Sequence, residues 1–148
     1  MSMRPSLVLL ASICAACASS GAKPDDRLDD LYTGTVTGVV ELPAASAGHP
    51  ACASLEVYAT ADDGKGDPPI RVGRPAVHQG SGHCSYEILN LPPGPVLAVH
   101  VEAPASSLCG EGSSLSFAPE AAPTFALADQ QERTENFRAQ CGGPRSSL

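Results

Sequence analysis

The sequence predicts an all-β protein, a single small β-sandwich clipped by disulfides. Three observations predict it. Apolar residues recur at every second position in one short run after another, the period of a strand with one buried face. Fourteen Gly and fourteen Pro punctuate the 148 residues, and no window of a dozen carries a helical stripe free of them. Four cysteines lie beyond residue 50, an even set for cross-linking. A chain of this length has room for one domain, and a hydrophobic content of 43% suffices for a modest core.

The first element is an export leader, residues 1–18. Arg4 supplies a positive start and residues 7–18 an apolar run, shorter than the ~20 residues a membrane-spanning helix needs. Ala16-Cys17-Ala18 fits a small-x-small cleavage site, and Ser20-Gly21-Ala22 is a second. Alternatively, Ala15-Ala16-Cys17 followed by Ala18-Ser19 resembles a bacterial lipobox, with Cys17 as the lipidated first residue of the mature chain. Ala18 in place of Asp resembles outer-membrane sorting in a Gram-negative bacterium. Without lipidation the product is secreted or periplasmic. Cys14 and Cys17 share a Cys-x-x-Cys spacing, but inside an export segment this is no redox motif. Residues 19–32 follow as an acidic flexible tether containing Asp25, Asp26, Asp29 and Asp30.

The sandwich is expected over residues 33–141, with residues 142–148 as a disordered tail. In 33–42, Val36, Val40 and Leu42 share a face with Gly38, opposite Thr35, Thr37 and Glu41. In 53–60, Leu55, Val57 and Ala59 alternate with Ser54, Glu56, Tyr58 and Thr60. Residues 61–69 form a loop in which Asp62, Asp63 and Asp67 open a calcium reading. Ile70 and Val72 begin a short third strand that Pro75 limits to an edge. In 84–89, Cys84, Tyr86 and Ile88 point inward; residues 90–94, Asn-Leu-Pro-Pro-Gly, form a tight turn. In 96–102, Leu97, Val99 and Val101 oppose Ala98, His100 and Glu102. Leu115 with Phe117, and Phe125 with Leu127, suggest two further strands. In 134–141, Phe137, Ala139 and Cys141 oppose Asn136, Arg138 and Gln140. Tyr86, Phe125 and Phe137 read as core fillers.

Cys52, Cys84, Cys109 and Cys141 make two disulfides the default in an exported chain. Three pairings are open. Cys52–Cys84 with Cys109–Cys141 closes shorter loops of equal length, each bridge stabilising the domain by about 2–4 kcal/mol. His49, His78 and His83 beside Cys84 match no zinc spacing and read as surface histidines, so no metal site is expected.

The runs Thr35-Val36-Thr37-Gly38-Val39-Val40 and Leu55-Glu56-Val57-Tyr58 resemble the first two strands of carboxypeptidase regulatory-like domains. So does the hairpin Tyr86-Glu87-Ile88-Leu89-Asn90-Leu91-Pro92-Pro93-Gly94 running into the strand at 96–102. Thr134-Glu135-Asn136-Phe137-Arg138 is similar to that family's closing strand. The resemblance implies a prealbumin-like (transthyretin-like) sandwich of about seven strands. It also implies a non-catalytic accessory, adhesive or structural role.

Function is bounded more by exclusion than by motif. A net charge of −7 leaves nothing to neutralise phosphates, so no nucleic acid is expected as a partner. The chain has no Gly-x-Ser-x-Gly elbow, no His-Glu-x-x-His and no Walker loop, and it calls for no cofactor. His100 and Glu102 are an i, i+2 pair on one strand face, read more readily as a wet sheet surface than as a catalytic dyad. Carbohydrate or another cell-surface ligand is the alternative reading, but with no Trp the only exposed rings are Tyr32 and Tyr58. The expectation is a non-enzymatic envelope module for protein interaction or structural support. Its partner is an unknown envelope protein, met through the loops at 62–69 and 104–122, and its acidic charge favours basic patches on that partner.

Overall fold

The computed structural model describes residues 33–44 and 51–143. Cys17, the rest of the leader and tether, Tyr32, His49 and the tail from residue 144 lie outside the described residues.

The period-two runs do form strands. β1 is Gly34–Glu41, β2 Glu56–Asp62, β3 Ile70–Val72, β4 Arg74–Gln79 and β5 His83–Leu91. β6 is Val96–Glu102, β7 Ser114–Ala118, β8 Thr124–Phe125, β9 Glu132–Thr134 and β10 Phe137–Gly142. One sheet runs β4-β5-β1-β10-β7, with β9 also on β1; the other runs β3-β2-β6-β8. Both sheets wet one face and bury the other, which is what alternation means physically. Val36, Val40, Cys84, Tyr86, Ile88, Leu91, Phe137 and Ala139 meet Val57, Ala59, Leu97, Val99, Phe125 and Leu127 in one core. The result is an all-β two-sheet sandwich.

Tyr86 shows why a glycine sits in β1. Gly38 leaves the space its ring occupies: a Cβ there would lie 2.7 Å from the ring and 1.8 Å from the Glu135 carbonyl. The Tyr86 hydroxyl donates to that same carbonyl at 2.6 Å. Here β9 gives way to β10, and both run parallel to β1 on its same side. The break is satisfied locally, because the Glu135 amide donates to the Thr37 carbonyl and the Val39 amide to Asn136 Oδ1. Burial, and secondarily the charge of Glu135, raises the Tyr86 phenol above its ordinary value of 10.

Both disulfides close as the loop lengths favour. Cys52–Cys84 and Cys109–Cys141 each span 5.7 Å between Cα atoms. Cys52 precedes β2 of the four-stranded sheet, whereas Cys84 lies in β5 of the six-stranded one. Cys109 follows β6, and Cys141 lies in β10. Each bridge therefore ties a segment flanking the smaller sheet to the larger.

The sequence reading needs refinement in five places. Ten strands occupy the described residues, against the seven or so expected. Pro75 does not close the third strand; it belongs to β4, at the edge of the other sheet, where a missing amide costs no ladder bond. The chain changes sheets at Gly73, whose φ is +79° and whose Cβ would meet Ile88, Leu89 and Leu91 at 2.8 Å. Asn90 and Leu91 belong to β5, not to the turn. Asn90, at φ 60°, is part of a bulge that lets Ile88 and Leu91, three apart, both face the core. Residues 51–54 form a 3-10 turn ahead of β2, and Ala105–Leu108 a one-turn helix α1 that buries Leu108. β10 runs through Gly142, one residue past the expected boundary.

Candidate functional site

The outward positions of β2, β3 and β6 bring together residues far apart in sequence. Tyr58 opposes His100 in register, and their rings stack at 4.9 Å between centroids. From β3, on the other side of β2, the Arg71 guanidinium lies 3.7 Å from the Tyr58 ring centre. Tyr58 is thus held between a cation and an imidazole, presenting its edge rather than a face. Its hydroxyl donates to Glu102 at 2.6 Å, and Arg71 pairs with Glu56. Thr60 Oγ1 lies 2.9 Å from His100 Nε2.

This strip resolves a conflict in the pairing. Glu56 and Glu102 are directly opposed like charges, an arrangement that weakens a sheet. Arg71 neutralises the first, and the Tyr58 hydroxyl solvates the second. The hydrogen bond to Glu102 is also the main reason the Tyr58 phenol is raised above 10, so at neutral pH it is a donor and not a base. His100 and Glu102 share a face as expected, but each is engaged by a different neighbour on β2.

The other singled-out residues are placed separately. His78 lies in β4, opposite Ser85, rather than in a loop. His83 opens β5, its ring against Gly80 and its Nδ1 3.0 Å from the Ser81 carbonyl, to which it donates. In the 62–69 loop, Asp62 accepts from the Gly64 amide and Asp63 from the Lys65 amide, with the Lys65 ammonium 3.3 Å from Asp63. These carboxylates shape the turns of the loop. Among the described residues no group of three or more His, Cys, Asp or Glu side chains is placed to hold a metal ion.

A groove that sequence reasoning missed lies at the end of the sandwich where β2 leaves and β6 begins. It has a volume of about 380 Å³ and is walled by Pro68, Ile70, Val72, Pro92 and Pro95, with Asp63 and Asp67 at its rim. Ile70 is 66% exposed and nearby Val96 51%. The two walls come from the 62–69 loop and the 92–95 turn, each legible as a turn, but their juxtaposition requires the β2–β6 pairing. No protein-family model matches the chain, and neither does any curated protein or solved structure.

Proposed function

We propose that the chain is a non-catalytic, exported envelope module that works through protein–protein contact. On this reading it is a carboxypeptidase regulatory-like sandwich held to the outer membrane through a lipid on Cys17. The observation that carries the interaction reading is the loop-end groove. Exposed Ile70 between Pro68 and Pro92 is an apolar surface that a water-soluble domain gains nothing by displaying. Asp67 at its rim makes no ion pair among the described residues, so the fitting occupant is a protein segment with an apolar side chain beside Lys or Arg. Two disulfides support an oxidising compartment.

Catalysis and sugar binding gain less support. His100 and Glu102 are engaged apart from each other, and both faces of Tyr58 are covered, which removes the flat platform a sugar ring stacks on. The test is a photo-crosslinking amino acid placed at Ile70 or, as control, at Thr60, in intact host cells. A discrete crosslinked protein from the first position and none from the second is the expected result. Equal labelling from both, or none from Ile70, sinks the reading. Intact mass of the isolated chain tests the anchor: a diacylglycerol-plus-acyl increment on a chain beginning at Cys17 is expected, whereas an unmodified start at Ser19 or Lys23 removes it.

A further inference from the structure

The second feature lies on the opposite flank of the four-stranded sheet. β8 is a two-residue stub that pairs only with Leu97 and Ala98 of β6. Beyond it the Val99 amide still reaches the Pro123 carbonyl at 3.4 Å, and then the chain turns away through residues 119–122. Backbone groups alternate in direction along a strand. Because the Val99 amide points to the β8 side, the Val101 amide and carbonyl point there too, away from β2. No described residue pairs with them on that side. This bare stretch opens on a gap of about 260 Å³ between β6 and β7. Val99, Val101, Phe117 and Phe137 line its inner part, and Glu102 and Glu120 its rim. Glu120 makes no ion pair among the described residues, and no Lys or Arg lines the gap.

We infer that this gap is a strand-docking slot, which takes an extended cationic segment of a partner protein as the missing continuation of β8. The inference rests on the interaction reading above but not on the loop-end groove. Three features select the occupant. The unpaired main-chain groups of Val101 are met by another extended backbone, the mode in which a peptide adds a strand to a sheet edge. Alternate side chains of such a strand point inward, where Phe117 and Phe137 offer apolar contact, and outward, where Glu102 and Glu120 favour Lys or Arg. The volume is below the ~300–1,000 Å³ of ordinary small-molecule pockets and suits one or two side chains of a strand. Other edges are less suited: β3 has three residues, and β4 carries Pro75.

The probe is a blocked hexapeptide alternating Lys and Val, titrated into the 15N-labelled chain isolated with both disulfides formed. Comparators are the Glu–Val peptide and the Lys–Val peptide with every backbone nitrogen methylated. Expected are amide shifts over Val99–Ala103 and Ser116–Ala118 and at least ~10-fold slower hydrogen exchange at Val101, for the Lys–Val peptide alone. E102Q with E120Q should weaken binding about threefold, a loss that high salt reproduces in the parent chain. V101P removes the slot-facing donor without removing a bond to β2 and should abolish binding. Unchanged exchange at Val101 under saturating peptide overturns the slot, as does equal binding of the methylated peptide. Shifts confined to Ile70 and Pro92 overturn it while leaving the interaction reading intact. Concentration-dependent self-association that protects Val101 without peptide also overturns it, since a second copy would then be the occupant.

Discussion

Tyr86 and Gly38 form the most constrained pair of residues in the sandwich. Their sizes are complementary: the ring fills the room that the absent Cβ leaves, and its hydroxyl reaches the carbonyl at the β9–β10 break. Gly38→Ala should lower stability by about 3 kcal/mol or more, because the added carbon meets backbone that cannot yield. Tyr86→Phe keeps the packing and loses one bond to a part-buried carbonyl, a cost of about 1–2 kcal/mol by urea denaturation. The pH dependence has a definite sign. The folded phenol ionises above its unfolded value of 10, so above that pH the unfolded chain has shed a proton that the native chain keeps. The contribution of Tyr86 is complete below pH 10 and declines as pH rises beyond it. The stability gap between parent and Tyr86→Phe should therefore narrow above pH 10, and a gap independent of pH would contradict the assignment.

At the scale of elements, the critical event is the passage of one chain segment from sheet to sheet. β3 and β4 are separated by Gly73 alone, whose positive φ makes the corner and whose missing side chain lets it sit against Ile88 and Leu91. Gly73→Ala combines backbone strain with overpacking and should cost about 2–4 kcal/mol. Gly64→Ala is the control: its φ is +74° but nothing lies within 4 Å, so it should cost only about 1 kcal/mol of backbone strain. Equal losses in thermal melting would remove the packing component of the Gly73 account. On the outer face of the smaller sheet, Arg71, Tyr58 and His100 knit three strands through stacking rather than burial. Their geometry was not legible in sequence, although Tyr58 and His100 were correctly placed outward by alternation alone.

The whole molecule is polarised. Both disulfides lie at the end where β5 begins and β10 finishes, and the groove lies at the other, where β1 begins and β5 turns into β6. The bridged end gains most of its order from covalent links, for the large core side chains are few. Each bridge closes a sequence separation of 32, which in the chain-entropy picture is worth about 3–4 kcal/mol. Replacing both cysteines of either pair by Ala should lower the melting temperature by about 10–20 °C. Full reduction removes a large share of the roughly 5–15 kcal/mol that domains of this kind possess. A melting temperature insensitive to thiol reductant would refute this account.

What the sequence by itself determined is whatever depends on neighbours along the chain. Period-two alternation told inside from outside at Val36, Val57, Tyr86, Ile88 and Leu97, since a pleat reverses every successive side chain whatever the partner strand. Equal cysteine spacing favoured the observed pairing through loop length. The tertiary structure alone decided which strands share a sheet, that Pro75 sits in β4, and that residues 68–72 and 92–95 wall one groove. It also decided that β8 stops short and leaves part of β6 bare. The physical reason is that edges, gaps and grooves are properties of pairing between distant segments, whereas alternation is a property of a single strand.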